Sequence, residues 1–210
     1  MKGTSVKEIM TTRVVAVREE ATFKEMVATL RSCRISAFPV LDATDRVIGV
    51  VSEADLLAKE ADQALGRRTW HPSERAKAMG VIAAEVMTAP AVTVAEDAPV
   101  AEAAALMRSR RVKRLPVVDR NGQLRGIVSR ADVLTVFERP DNEIRDEAVK
   151  DVLVGEFGLD PEMFVVTARS GVVTATGSVA ERADALSLLK AIRHVEGVVA
   201  VRDRLSYPGA

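Results

Sequence analysis

One internal duplication constrains the fold of this chain more than any other feature. Shifted by 77 positions, the sequence aligns residues 6–57 with residues 83–134 without a gap, and 21 of the 52 aligned pairs are identical. The segment Gly49-Val50-Val51-Ser52-Glu53-Ala54-Asp55 returns as Gly126-Ile127-Val128-Ser129-Arg130-Ala131-Asp132. A unit of about 55 residues buries little core by itself. The two copies are therefore expected to pack on each other.

The repeated segment predicts a strand that ends where a helix begins. Ser52 and Ser129 follow apolar residues and are typical N-caps, and an acid, Asp55 or Asp132, lies three positions later. In one interpretation, Ser and Asp form a capping box that serves only the helix. In the other, the helix N-terminus and the Ser hydroxyl bind a phosphate while the Asp accepts from ribose hydroxyls. The two roles are compatible.

The rest of each unit predicts a strand, a helix and a hairpin. Residues 14–17 and 91–94 are expected to form the first strands, and apolar spacing after Pro99 predicts a helix. Strands around Pro39 and Pro116 then lead through turns into the Gly-led strands. The order β-α-β-β-α, twice, predicts an α/β (α+β) fold in which two units pack through their sheets as a pseudo-twofold pair.

A third domain is predicted after Arg139-Pro140, which ends a helix. Its order is α-β-β-α-β, with elements expected from residue 143, at 164–168, at 172–176, at about 180–193 and at 198–205. Four apolar residues mark one face of its first helix: Ile144, Ala148, Val152 and Leu153. Between the repeats, residues 61–82 are expected to form a helical linker in which Pro72 starts a short helix.

Composition narrows the range of functions. The chain has 30 acidic and 30 basic residues, so nothing global attracts nucleic acid or anionic membrane. An aromatic content of 3% provides few stacking platforms, which argues further against nucleic acid as a partner. A lone Cys33 and the lack of an apolar run of spanning length predict a cytoplasmic protein. The sequence has no nucleophile with a base, metal cluster or P-loop, so we do not expect an enzyme.

The doubled motif resembles a tandem pair of cystathionine β-synthase (CBS) domains. Met-Thr before the first strand, Pro-Val before the hairpin and Gly-x-x-Ser-x-x-Asp each occur twice, over residues 5–60 and 83–139. The resemblance implies a ligand-sensing module that binds an adenine nucleotide (AMP, ADP or ATP) or a related adenosyl ligand and forms a homodimer. No cofactor is expected beyond this regulatory ligand.

The same resemblance implies roles for individual residues. Asp55 and Asp132 would accept from ribose hydroxyls, and Ser52 and Ser129 would help to hold phosphate. Backbone near Val15 and Val92, on the first strands, would meet the adenine edge, and the strands of Pro39 and Pro116 would line the clefts. Arg114 matches the family's phosphate partner, whereas the first copy has Ala37 there, so the two sites are expected to be unequal. Arg108 and Arg111 are interpreted as a solvated helix end.

Residues 142–207 resemble a BON domain, on the segments 171–179 and 195–201 with Arg182. The resemblance implies contact with phospholipid or a membrane surface. From Asp141 onward the chain has 12 acidic and 8 basic residues, a net charge of −4, which argues against simple attraction to anionic lipid. Five cations are the candidates for a basic patch: Arg182, Lys190, Arg193, Arg202 and Arg204. A protein-interaction or oligomerisation module is the other interpretation.

These features favour a non-catalytic regulator in which occupancy of the CBS pair changes how the BON domain meets a partner or membrane. The alternative is a constitutive dimeric scaffold that binds no ligand. Unchanged melting temperatures in the presence of nucleotides would favour the scaffold.

Overall fold

The computed structural model describes residues 3–65 and 79–208, and for residues 59, 60 and 62–65 only the backbone. The predicted helix beginning at Pro72 lies outside these residues. Ser5–Asp132 form one compact unit, and the chain from Val133 onward forms a second unit that also takes up Gly3 and Thr4.

The two repeats form the same elements in the same order. The first comprises α1 (Val6–Ile9), β1 (Val17–Arg18), α2 (Phe23–Cys33), β2 (Ala37–Leu41), β3 (Val47–Ser52) and α3 (Glu53–Leu65). The second comprises α4 (Ala83–Val86), β4 (Val94–Ala95), α5 (Val100–Ser109), β5 (Arg114–Val118), β6 (Leu124–Ser129) and α6 (Arg130–Leu134). In each sheet a parallel pair is followed by an antiparallel hairpin, β1-β2-β3 and β4-β5-β6. The predicted α+β class and element order are confirmed.

The sequence-based prediction was wrong about the first strands. Residues 14–16 and 91–93 have no ladder partner, and the strands begin only at Val17 and Val94. The short helices α1 and α4 were not predicted, because four residues are too few to show a helical period.

Backbone hydrogen bonds join the repeats in symmetric pairs. Val6 N–H donates to Ala98 O at 2.9 Å, and its counterpart Ala83 N–H donates to Ala21 O at 2.9 Å. An antiparallel bridge from Thr11 to Ile127 has its equivalent between Val50 and Thr88. Each pair is related by the 77-residue shift, so the predicted pseudo-twofold packing of the repeats is present in the fold.

A glycine in each repeat makes room for a methionine of the other. A Cβ added at Gly49 would lie 2.8 Å from Met87 Cγ, and one added at Gly126 would lie 2.9 Å from Met10 Cγ. Real Cβ atoms do not approach other carbons so closely, and therefore only glycine fits at these crossings. This contact explains why Gly and Met both recur in the duplication.

The hairpin turns of the two repeats are held by equivalent carboxylates. Asp42 Oδ1 accepts from the N–H groups of Thr44 and Arg46 at 2.8 and 3.0 Å, and Asp119 Oδ1 accepts from those of Asn121 and Gln123 at the same distances. These bonds give each turn an Asx-type closure.

The second unit contains α7 (Asp141–Glu147), which continues as a π-helical segment (Ala148–Glu156), then β7 (Phe164–Arg169), β8 (Val172–Ser178), α8 (Arg182–Arg193) and β9 (Ala200–Ser206). Its sheet has the order β7-β8-β9. The four apolar residues predicted on the first helix, Ile144, Ala148, Val152 and Leu153, are all buried in one core with α8 and the inner face of the sheet. The α-β-β-α-β order is confirmed, although β8 continues past the predicted end at residue 176 to Ser178.

Within the second unit, Arg139 and Thr4 both bind Glu196. Arg139 Nη1 donates to the Glu196 carbonyl at 2.9 Å and forms an ion pair with Glu147 at 2.8 Å. Thr4 N–H donates to the Glu196 carboxylate at 2.8 Å.

Candidate functional site

A cavity of about 480 Å³ opens between the two repeats. Its walls come from the start of β2, the end of β3 and the start of α3 in repeat one, and from the segments before β4 and β5 in repeat two. The lining residues are Ser36, Ala37, Val50, Ser52, Glu53, Ala54, Asp55, Leu57, Thr88, Pro90, Ala91, Val92, Arg111, Val112, Lys113 and Arg114. Such a cleft has the volume of a small-molecule site.

Ser52 and Asp55 form a hydrogen-bonded corner of this cavity. Asp55 Oδ2 accepts from Ser52 N–H at 2.8 Å and from the Ser52 hydroxyl at 2.6 Å. The hydroxyl of Thr88, from repeat two, donates to Asp55 Oδ1 at 3.3 Å. The capping interaction is therefore present, and it fixes the carboxylate at the cavity wall. The helix that begins here, α3, has 13 residues, so its N-terminal dipole is fully developed.

Ser129 and Asp132 have the same geometry. Asp132 Oδ2 accepts from the N–H and the hydroxyl of Ser129, both at 2.7 Å. The helix that follows, α6, has only five residues before the chain enters a 3₁₀ turn at Thr135–Glu138. The two copies of the motif are thus equal in their side chains but differ in the helix behind them.

The adenine-edge residues of the prediction lie before the first strands. Val92 precedes β4 and lines the cavity with Ser52 and Asp55. Val15 precedes β1 at the equivalent half-buried position. Pro39 and Pro116 are buried in the middle of β2 and β5 and do not line this cavity. The cavity thus combines the Ser-x-x-Asp segment of one repeat with the first-strand segment of the other.

Three cations of repeat two line the same cavity as Asp55. Arg114, at the start of β5, donates from Nη2 to the Ser36 hydroxyl at 2.6 Å and from Nη1 to the Ala37 carbonyl at 3.3 Å. Lys113 is the second of these cations. Arg111, predicted to lie at a solvated helix end, is exposed two residues after the end of α5, with φ of 56°, and it also lines the cavity. Its place in the cavity could have been predicted from the sequence, because Arg111 lies three residues before the Pro-centred strand β5.

A second surface lies on the outer face of the β7-β8-β9 sheet. The strand register puts Thr174 beside Arg202 and Thr176 beside Arg204, and Arg169 lies at the end of β7. All three arginines are exposed, and none of the strand residues on this face is acidic. Arg182, Lys190 and Arg193 belong to α8, which packs on the inner face. The expected cluster of five cations is therefore divided between opposite sides of the sheet.

Residues 3–65 and 79–208 contain neither a metal-ligating cluster nor a helix suited to crossing a membrane. No group of three or more His, Cys, Asp or Glu side chains there is arranged to hold a metal ion. Within the same residues, every helix is too short or too polar to cross a membrane.

Comparison with known proteins gives the same domains. Residues 6–62 and 83–139 each match the CBS domain, and residues 141–209 match the BON domain. The chain belongs to the CBS-domain proteins, as a CBS pair followed by a BON domain.

The chain spans less than two thirds of the length of the first curated relatives that it matches. An uncharacterised protein of Methanopyrus kandleri is 35% identical over 136 residues, which cover 65% of this chain and 64% of that protein. Inosine-5′-monophosphate dehydrogenase of Methanocaldococcus jannaschii is 30% identical over 60% of this chain but only 22% of the enzyme. The crystal structure of CBSX2 in complex with AMP has a TM-score of 0.53 and 28% identity, and it covers 63% of this chain and 94% of that one.

Proposed function

We propose that this protein is a non-catalytic regulator whose CBS pair binds an adenosyl ligand in the cavity between the repeats. The observation that carries the proposal is the meeting of Asp55, Val92 and Arg114 in one cavity of about 480 Å³. These side chains offer an acceptor, an apolar edge and a cation, which suit ribose, adenine and phosphate respectively. CBSX2, a structural neighbour at 28% identity, was crystallised in complex with AMP.

The proposed roles follow the geometry of the cavity. Asp55 already accepts from Ser52 and Thr88, and a carboxylate has about four acceptor positions, so it can take a ribose hydroxyl in addition to Ser52 or in place of Thr88. The N-terminal N–H groups of α3 and the Ser52 segment would face the phosphate. We assign Val15, Ser129 and Asp132 the corresponding roles in a second, weaker cleft. Pro39 and Pro116 act by shaping the strands.

Isothermal titration tests this function directly. The full chain would be titrated with AMP, ADP and ATP, and the Asp55→Ala variant with the same ligands. We expect saturable binding, reduced by roughly tenfold or more in the variant, since a hydrogen bond to a charged group contributes about 1.5–3 kcal/mol. Asp132→Ala loses the same capping interaction in the second, weaker cleft, so it should reduce binding less than Asp55→Ala does. Absence of binding by the wild-type protein would reject the proposal in favour of the ligand-free scaffold.

We further propose that the CBS pair forms a homodimer and that the protein works in the cytoplasm. Leu57 and its counterpart Leu134 are 64% and 60% exposed at equivalent positions of the two repeats, which offers apolar surface to a second copy. The single exposed Cys33 suits a reducing compartment. Light scattering at several protein concentrations tests the dimer, and a monomer throughout would reject it.

For the BON domain we propose contact with an anionic membrane surface through the outer sheet face. Arg169, Arg202 and Arg204 are exposed there without an acidic neighbour on the strands, although the region from Asp141 onward has a net charge of −4. Attraction to anionic lipid decays within a Debye length, so it depends on the charges of the face that meets the membrane and not on the net charge of the domain. The basic outer face can therefore bind anionic lipid although the domain is acidic overall. The alternative partner is an acidic protein.

Vesicle co-sedimentation distinguishes these partners. A triple variant with Ala at 169, 202 and 204 should lose binding to phosphatidylglycerol vesicles, at about 1 kcal/mol per arginine. The matched control replaces Arg182, Lys190 and Arg193 on α8, which changes the net charge equally on the opposite side of the sheet. Equal losses in both variants, or no binding to these vesicles by the wild type, would reject the membrane surface.

A further inference from the structure

A single arginine bridges the two repeats inside the cavity. Arg114 starts β5 in repeat two, and its guanidinium donates to the Ser36 hydroxyl and the Ala37 carbonyl of repeat one, at 2.6 and 3.3 Å. The 77-residue shift relates Ala37 to Arg114 and Ser36 to Lys113. The four residues at these two equivalent positions all line the same cavity.

This bridge can be formed in one direction only. A hydroxyl accepts a hydrogen bond, whereas the ammonium of Lys113 has three donors and no acceptor. An arginine at position 37 would therefore find no side-chain acceptor at position 113. The repeats have diverged as a complementary pair, in which repeat two supplies the donor and repeat one the acceptor.

The bridge determines how Arg114 can act in the cavity. A guanidinium has five N–H donors in a rigid plane, and the bonds to Ser36 and Ala37 engage two of its nitrogens on the side of repeat one. The plane is thereby fixed before a ligand arrives, which reduces the ordering that binding requires. Arg111 and Lys113 add positive charge to the cavity lining, to which the N-terminus of the 13-residue helix α3 also contributes.

We infer that Ser36 is a positioning residue which holds Arg114 at the phosphate end of this cavity and makes the cavity select adenosine 5′-phosphates over uncharged adenosyl compounds. The inference rests on the proposed function and adds to it the class of ligand and the residue that sets it. It also assigns the phosphate ligand to the cleft of Asp55, because the Ser36–Arg114 bridge and the long helix both belong to that cavity.

The test compares two ligands that differ at the 5′ carbon. AMP and 5′-methylthioadenosine would each be titrated into the full-length wild type and into Ser36→Ala. We expect the wild type to prefer AMP, and Ser36→Ala to lose roughly 3- to 10-fold in AMP affinity, the effect of one hydrogen bond. Affinity for 5′-methylthioadenosine should stay within about twofold, because that ligand has no phosphate to meet Arg114.

Four further variants control the experiment. Ser36→Thr keeps a hydroxyl and should restore the preference for AMP. Ser32→Ala removes an exposed serine outside the cavity, whose hydroxyl donates to Thr29 O at 3.4 Å. This variant should change the affinity for neither ligand. Arg114→Gln removes the charge and should abolish the preference even if Ser36→Ala folds poorly. The double variant that combines Ser36→Ala with Arg114→Gln should bind AMP no more weakly than Arg114→Gln alone, since Ser36 acts through Arg114.

The outcomes are separable. Equal losses of both ligands in Ser36→Ala, or a preference for AMP that survives in Arg114→Gln, would overturn the inference and leave the adenosyl site intact. A wild-type protein that binds neither AMP nor 5′-methylthioadenosine would reject the proposed function, and the positioning role with it.

Discussion

The crossing of Gly49 with Met87, and of Gly126 with Met10, predicts that alanine at either glycine destabilises the CBS pair. A Cβ at Gly49 would lie 2.8 Å from Met87 Cγ and 3.0 Å from its Cβ, so the methionine cannot clear it by rotating its tip. At Gly126 the new atom would also lie 3.0 Å from the Thr11 carbonyl oxygen. Overpacking of this kind costs about 1–3 kcal/mol.

The loss of stability should differ between Gly49→Ala and Gly126→Ala. Thr11 O accepts from Ile127 N–H at 2.9 Å, in the bridge that joins the repeats, so it cannot move without loss of that bond. We therefore expect Gly126→Ala near the upper end of the range and Gly49→Ala nearer the lower end. Urea unfolding followed by circular dichroism would measure both, with the transition of the CBS pair resolved from that of the second unit.

Two comparisons make this prediction sharp. Gly49→Ala combined with Met87→Ala should be less destabilised than the sum of the single variants, because the second change removes the clash. Gly3→Ala is the control, since its added Cβ would meet only Glu196 Oε2, at 3.8 Å. If both Gly49→Ala and Gly126→Ala unfold within about 0.5 kcal/mol of the wild type, the scale of ordinary surface changes, the reasoning about these crossings is wrong.

Two further predictions concern carboxylates that close turns. Asp141 accepts from Ser170 N–H at 2.7 Å and from Gly171 N–H at 2.8 Å. Asp141→Ala should therefore destabilise the second unit by about 1–3 kcal/mol and speed amide hydrogen exchange at residues 170 and 171. Unchanged exchange at these two residues would contradict the prediction. The pKa of Asp42 is lowered from its ordinary 3.8, chiefly by the hydrogen bond from the Thr44 hydroxyl. The pKa of Asp119 is lowered as well. Burial is the largest single influence on Asp119 and raises its pKa, but the hydrogen bonds from Gln123, Asn121 and Arg125 together outweigh it. A carboxylate whose pKa is lower in the folded state stabilises the protein above pH 3.8, and this stabilisation is lost as the pH falls through the folded-state pKa. The CBS pair should therefore unfold more easily in acid. Asp42→Asn should reduce this dependence of stability on pH. Urea titrations at several pH values would check this, and an equal acid dependence in the variant would refute it.

The local structure of each repeat could be predicted from its sequence because the signals are local. Ser52 with Asp55, the Asn121-Gly122 turn and the apolar spacing after Pro99 each depend on neighbours within a few residues. The structure confirms the capping bonds, the hairpins and helix α5, whose buried residues include Val100 and Met107.

The composition of the cavity could not be predicted in the same way, because it depends on which repeat meets which. The sequence placed equivalent residues in each unit but gave no sign that Asp55 would share a cavity with Val92 and Arg114 of the other unit. The acceptor for Arg114 is Ser36, at a separation of 78 residues, and no local pattern marks such a pair. The first strands were expected too early because apolar residues 14–16 and 91–93 precede the positions at which pairing with β2 and β5 begins.

The central claim is that one cavity built by both repeats binds an adenine nucleotide, and amide hydrogen exchange of the full chain with and without AMP tests it most directly. On addition of AMP we predict slower exchange in residues 52–55 of repeat one and, together with them, in residues 88–92 and 111–114 of repeat two, since all three segments contribute to the cavity. Protection confined to one repeat, or no protection in any of these segments at saturating AMP, would contradict it.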